Sequence, residues 1–172
     1  MKKTFFYATT LACLLSACES KLVEQVQLIP QAENVEILNG SFALSNLKTL
    51  QAPEAWKATA ENFIGDVQKS AGLNVALAAE GATVVLAENA SLPAEAYALA
   101  ITKNGIQLQA ADLAGISHAL TSLHQLILTA KDGKLPVLNI QDKPLYDYRG
   151  LMLDCSRHFW TVDELKESIK PR

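Results

Sequence analysis

The stretch from Tyr97 to Ala110 constrains this chain more than any other. Tyr97, Leu99 and Ile101 alternate with smaller or polar residues, Asn104-Gly105 follows, and Ile106, Leu108 and Ala110 resume the alternation. Alternation with period two marks a strand with one buried face, and Asn-Gly readily takes the positive φ angles of a two-residue hairpin turn. A turn closed at Asn104-Gly105 would set Ile101 opposite Leu108 and Leu99 opposite Ala110, burying one common face.

The flanking segments supply what such a hairpin packs against. Val35 to Leu38 reads as a strand, Asn39-Gly40 as its turn, and Phe42 and Leu44 as its continuation on the far side. A helix is expected from near Pro53, with Trp56, Ala60, Phe63, Ile64 and Val67 on one apolar face and Ala71-Gly72 at its end. Thr83 to Ala87 reads as a short buried strand. Asp112 is placed to cap a second helix carrying Leu113, Ile116, Leu120, Leu123 and Ile127, which Lys131-Asp132-Gly133 breaks before a strand over Pro136 to Ile140. The expected class is α+β, a mostly antiparallel sheet with two helices on one face.

Composition agrees with a folded domain and excludes other classes. The 172 residues are 49% hydrophobic and 19% charged, too apolar for a disordered chain. Lys+Arg 15 against Asp+Glu 18 leave a net charge of −3 and no basic stripe, which argues against nucleic acid as a partner. Cys13, Cys18 and Cys155 cannot build a disulfide framework. No apolar run reaches the ~20 residues that span a bilayer.

The N-terminus reads as an export signal. Lys2 and Lys3 precede the apolar run Thr4 to Leu15, and Leu15-Ser16-Ala17-Cys18 resembles the bacterial lipobox. Residues 1–17 are then a signal peptide and Cys18 the lipidated N-terminus, with residues 18–28 as a polar tether. Cleavage there removes Lys2 and Lys3 and no acid, taking the net charge from −3 to −5. Glu19, which is not aspartate, points to an outer-membrane or periplasmic lipoprotein held through its lipid anchor.

His118 and His124 lie six residues apart on the second helix, a spacing that puts them on different faces, and no His-Glu-x-x-His occurs. Both read as residues packed at the core edge. No metal site and no cofactor are expected.

The C-terminal residues open something new. Tyr148-Arg149-Gly150-Leu151-Met152-Leu153-Asp154 runs into Cys155-Ser156-Arg157-His158-Phe159-Trp160. Leu151 to Leu153 read as a buried strand, Cys155 as a buried thiol, and Thr161-Val162-Asp163-Glu164 as a capping box before a helix with Val162, Leu165 and Ile169 on one face. Strand, polar loop and helix make one βα unit.

The Arg-Gly-Leu-Met-Leu-Asp and Ser-Arg-His-Phe pattern resembles the entry to the catalytic barrel of family 20 glycoside hydrolases, the β-N-acetylhexosaminidases. Tyr97 to Ala110, Ala114-Gly115, Leu123 to Ile127 and Leu135-Pro136 through Asp142-Lys143-Pro144 resemble the family's accessory domain. The resemblance implies a zincin-like α+β domain over residues 29–143 without its zinc site, then the first unit of a (β/α)₈ barrel over 144–172. It implies removal of terminal N-acetylglucosamine or N-acetylgalactosamine from glycosides, chitooligosaccharides or glycoconjugates among them. The substrate's own acetamide attacks the anomeric carbon, an exception to the two-carboxylate scheme. Arg149 matches the family arginine that binds sugar hydroxyls, a role suited to the fixed fork of guanidinium donors.

Two features depart from that pattern. A barrel of this kind needs ~200 to 250 residues, so Pro144 to Arg172 are expected to be only its beginning, and this chain alone is expected to be inactive. No counterpart of the family's catalytic Asp-Glu pair is present, so no catalytic residue is assigned; Asp163-Glu164 belong to a helix's first turn. Barrel sites also lie at the C-terminal ends of strands, so spacing alone would favour Asp154, Arg157 or His158 over Arg149. The resemblance favours Arg149 and leaves those three as structural support at the barrel mouth. The alternative is a non-catalytic lipoprotein module that binds a glycan or another protein.

Overall fold

The computed structural model describes residues 26–169, so the expected signal peptide and Cys18 lie outside the described residues. The chain forms β1 (Asn34–Ala43), β2 (Thr49–Gln51), α1 (Lys57–Ala71), β3 (Ala76–Leu77), β4 (Val84–Glu88), β5 (Tyr97–Ile101), β6 (Ile106–Ala110), α2 (Leu113–Leu128), β7 (Lys134–Asp142) and α3 (Val162–Ile169). Among the described residues, seven strands make one sheet in the order β1-β7-β5-β6-β4-β2-β3. The α+β class stands. The pairings β1/β7, β7/β5 and β5/β6 are antiparallel, but β6/β4, β4/β2 and β2/β3 are parallel, so half of the pairings depart from the expected antiparallel arrangement. The parallel side follows from α1, which crosses from β2 to β3 as a helical connection must.

Alternation sets the two faces of this sheet. Tyr97, Leu99 and Ile101 of β5 and Ile106, Leu108 and Ala110 of β6 are buried on the side that carries α2. Ile116, Leu120, Leu123 and Ile127 of α2 and Ala60, Phe63 and Val67 of α1 complete one core with Phe42, Leu50, Leu138 and Ile140. Residues 26–28, the end of the expected tether, already run against this core, where Leu28 is buried. The opposite face of the sheet carries Glu36, Gln107, Gln109, Asn139 and Gln141 around an open concavity of about 590 Å³.

Both expected turns proved different. The β5/β6 register pairs Ile101 with Ile106 and Leu99 with Leu108, two residues from the expected pairing, although the buried face is the same. The turn centres on Lys103-Asn104, and no residue between 102 and 105 has a positive φ. Thr102 closes it: its hydroxyl accepts the N–H groups of Asn104 (3.3 Å) and Gly105 (3.1 Å) while its own N–H reaches Gly105 O (2.9 Å). Gly105 serves close approach instead, since a Cβ there would stand 2.9 Å from Thr83 O.

Asn39-Gly40 makes no hairpin. β1 runs straight through it, and the register against β7 shifts between Ile37↔Leu138 and Ser41↔Pro136. Leu38, Asn39 and Gly40 thus oppose Val137 alone, a bulge in which Gly40 takes φ +127. Pro136, beside the bulge, has no N–H to give the ladder.

The helix ends follow the sequence. Asp112 Oδ1 accepts the Gly115 N–H at 2.7 Å and caps α2. Gly115 is required by packing, because a Cβ would fall 2.4 Å from Ala96 O. A short 3₁₀ turn over Glu54–Trp56 leads from Pro53 into α1, which Gly72 ends in the left-handed region at φ +67.

The segment after β7 departs from expectation. Leu151 to Leu153 form no strand, and Leu151 and Met152 are 77% and 90% exposed. A strand exists through ladder bonds to a neighbour, and none of the described strands pairs with this segment. Cys155, expected to be buried, is exposed for the same reason. Of the expected βα unit only the helix, α3, is formed among the described residues. Its capping box is formed: Thr161 N–H donates to Glu164 Oε2 at 2.8 Å, and Glu164 N–H to Thr161 Oγ1 at 3.3 Å.

Candidate functional site

The polar groups worth testing for function gather where β7 leaves the sheet. Asp142, Lys143, Asp147 and Arg149 there face Glu33 and Glu95 across an open cleft of about 760 Å³. Asp142, on the last residue of β7, accepts the Glu33 N–H (3.0 Å) through Oδ1 and the Tyr97 hydroxyl (3.3 Å) through Oδ2. The Tyr97 oxygen also lies 2.6 Å from Ser122 Oγ on α2. Burial above all, opposed by the Ser122 bond and aided by Asp142, pushes the Tyr97 phenol up to about 12.

Arg149 sits in the exposed coil after β7. Its Nη1 donates to Tyr146 O at 2.5 Å, and its Nη2 donates to Glu95 Oε2. Glu95 comes from the loop between β4 and β5 and holds a left-handed backbone, φ 62, a conformation that costs a non-glycine residue roughly 1–3 kcal/mol. The Glu95 N–H donates to Asp112 Oδ2 at 2.9 Å, so one carboxylate caps α2 and fixes this loop. These bonds, Gly115 first and Glu95 next, hold the Asp112 carboxyl below the usual carboxylate range. His118 Nε2 lies 3.8 Å from Glu95 Oε2, shielded from solvent and without a hydrogen-bond partner.

The other sequence-selected residues lie apart from this contact. Asp154 closes a local turn, accepting the N–H groups of Ser156 (2.9 Å) and Arg157 (3.2 Å) and pairing with Arg157 Nε at 2.9 Å. His158 stacks edge-on against Trp160, with centroids 5.3 Å apart. Arg149, by contrast, reaches back to the accessory domain. Glu95 and His118 were missed because their contact joins positions 54 and 31 residues from Arg149, and an isolated Glu in Pro93-Ala94-Glu95 carries no pattern.

Two other arrangements carry no chemistry. Ser70 Oγ lies 2.7 Å from His124 Nε2, but its proton goes to Asp66 O at 2.7 Å, so the imidazole is the donor and cannot act as its base. His124 also meets Phe63 edge-on, 6.3 Å between centroids. Among the described residues no group of three or more His, Cys, Asp or Glu is placed to hold a metal ion, and no helix is long and apolar enough to cross a membrane.

A sheet backed by two helices on one side is a fold shared with solved sugar-cleaving enzymes. Residues 25–143 match glycosyl hydrolase family 20, domain 2, and residues 146–171 match the glycosyl hydrolase family 20 catalytic domain; the chain belongs to this family. It is 31% identical over 145 residues to a beta-hexosaminidase of Vibrio furnissii, covering 84% of this chain and 24% of that protein. It is 42% identical over 82 residues to a beta-N-acetylhexosaminidase of Cellulomonas fimi, covering 45% of this chain and 16% of that protein. Among solved structures, the Flavobacterium johnsoniae chitobiase superposes with a TM-score of 0.66 at 29% identity, over 84% of this chain and 25% of that one. The Vibrio harveyi exo-β-N-acetylglucosaminidase shares the fold with a TM-score of 0.73 at 24% identity, over 83% of this chain and 23% of that one. The chain thus spans a quarter or less of the length of these relatives.

Proposed function

We infer that this chain is the N-terminal part of a β-N-acetylhexosaminidase that removes terminal N-acetylhexosamine from chitooligosaccharides or glycoconjugates by substrate-assisted catalysis. The observation that carries this reading is the tandem match, an accessory domain followed directly by the Arg149 motif at the start of the catalytic domain. Arg149 is the residue assigned to the sugar. A guanidinium spans two neighbouring hydroxyls with its planar donors, which an ammonium cannot do. Asp154, Arg157 and His158 support the loop that follows.

The reaction asks for more than Arg149. Holding the acetamide against the anomeric carbon can supply ~7–11 kcal/mol through effective molarity. A positioned acid at the leaving oxygen adds ~10²–10⁴ in rate. Asp163-Glu164 provides neither, because Glu164 is engaged with Thr161 in the helix cap. The 172-residue chain should therefore be inactive. The export signal supports a lipoprotein acylated at Cys18 and delivered to the outer membrane or periplasm.

A chromogenic aryl N-acetyl-β-glucosaminide tests the enzymatic reading, using the 172-residue protein beside the same sequence extended by a complete family 20 barrel. Turnover by the extended protein alone is expected. Turnover by the 172 residues that survives repurification would overturn the assignment of the missing groups. Mass spectrometry of the exported protein should find the acyl mass on Cys18, and Cys18→Ser should release it from membranes; cleavage elsewhere would overturn the anchor. The self-contained core of the accessory domain favours the second reading, a glycan- or protein-binding module. An extended protein without activity, together with glycan binding by the 172 residues, would decide for that module.

A further inference from the structure

The Glu95–Arg149 contact joins two parts of the chain that the family match treats separately. Glycine is the ordinary occupant of a left-handed position, yet a glutamate stands there at φ 62. Its backbone is fixed independently of its side chain, because the N–H is taken by Asp112, which also caps α2 through Gly115. The carboxylate is thereby aimed outward from a rigid helix end. Its Oε2 accepts from Arg149 Nη2 and lies 3.8 Å from the buried, unpartnered Nε2 of His118.

The second terminal nitrogen of the guanidinium is also held. Nη1 donates to Tyr146 O at 2.5 Å, so carboxylate and carbonyl together fix the plane of the group. Its donors lie in that plane, and Nε–H with the outer N–H groups stays available to neighbouring hydroxyls. The side chains of Arg149 and Glu95 are 46% and 36% exposed, and ion pairs in that setting add little to stability. Orientation is what such a pair can supply.

We propose that Glu95, on the accessory domain, is a positioning residue that sets the plane of the Arg149 guanidinium for sugar hydroxyls. The sugar half of this statement rests on the hexosaminidase reading; the ion pair does not. It gives the accessory domain a direct part in the sugar site through one carboxylate.

Two measurements separate the halves. In ¹⁵N-labelled 172-residue protein at low temperature, the Arg149 Nη2 group that Glu95 holds should give a resolved Nη2–Hη signal protected from water exchange. Glu95→Gln should move it to the free-arginine position, Glu95→Asp should retain part of the protection, and the Arg157 signal should stay unchanged. An Arg149 signal unaffected by Glu95→Gln overturns the positioning role whatever the enzyme does. In the protein extended by a complete barrel, Glu95→Gln should raise KM about tenfold with kcat nearly unchanged, the signature of lost ground-state binding. A purely structural role would instead lower the active fraction, reducing kcat at constant KM, and that result overturns the proposal. An extended wild-type protein without hexosaminidase activity refutes the functional reading, and the Arg149 signal then still decides the ion pair.

Discussion

Residues 26–143 and residues 144–169 contain similar kinds of apolar side chain, yet they use them in opposite ways. In the first region Leu99, Leu108, Leu123 and Ile140 are almost fully enclosed between the sheet and its helices. In the second, Leu145, Leu151, Met152 and Phe159 are all more than three quarters exposed. Apolar surface favours folding only when a second surface covers it. The first region brings its own cover, because the alternating strands and the two helices lie in one stretch of chain. The second contains one helix and a segment with strand composition, and none of the described strands pairs with that segment. Residues 26–143 thus enclose a core of their own, while the Arg149 segment is held by local turns and by ion pairs such as Arg149–Glu95.

The sharpest way to break this comparison is to delete equivalent leucines. Leu99→Ala should cost about 2–5 kcal/mol, since its neighbours in the core can close only part of the cavity. Leu151→Ala should leave the unfolding midpoint unchanged within error, because no burial is lost. Parallel denaturant curves read both, and a large loss at Leu151 would show that the C-terminal segment packs as a cooperative part of the domain.

Burial of Tyr97 gives a second expected effect. The folded phenol titrates at about 12 against 10 for a solvated tyrosine, so its neutral form is favoured by folding. Stability should be unaffected below pH 10, where both states hold the proton. It should fall between pH 10 and 12, as the unfolded chain ionises first, by up to about 3 kcal/mol. Tyr97→Phe should remove this slope while losing the Ser122 and Asp142 hydrogen bonds. An alkaline slope identical in the variant would assign it to other groups.

The same contrast explains what could be read in the sequence. Tyr97 to Ala110 yielded the correct strands and buried face because alternation is a local property. Their register was misplaced by two because the Thr102 hydroxyl, through side-chain bonds to the turn, displaced the turn that Asn104-Gly105 suggested. Asn39-Gly40 looked like a turn because nothing local shows that the partner strand continues past it with Pro136. The parallel pairing of β4 with β6 was equally invisible, being decided by strands far apart in sequence. Leu151 to Leu153 have the composition of a buried strand, which encodes a partner that the described residues do not supply. Motif resemblance singled out Arg149 as a candidate, but its contact with Glu95 depends on folding across 54 positions.

The smallest effects come from two helix caps with the same chemistry in different surroundings. Asp112 caps α2, which packs on β5 and β6, and its carboxylate also holds Glu95. Asp112→Ala should lower global stability by about 1 kcal/mol, the usual cost of losing an N-cap. Thr161 and Glu164 cap α3 reciprocally, and the Thr161 N–H and hydroxyl hold the Glu164 carboxyl below its ordinary range. Thr161→Ala should nevertheless leave the global midpoint where it is, because none of the described α3 side chains belongs to the hydrophobic core. Its effect should appear locally, as faster hydrogen exchange over residues 162–169. The pH dependence has a definite sign: a depressed carboxyl pKa stabilises the folded form above the unfolded value, so α3 should keep its cap above about pH 4 and lose it as pH falls further. Protection across 162–169, taken relative to the intrinsic exchange rate at each pH, should therefore fall on acidification in the wild type and be flat in Glu164→Gln. The Leu99 to Ala110 hairpin should stay protected throughout, and equal protection of Leu151 to Asp154 would erase the distinction between the two regions.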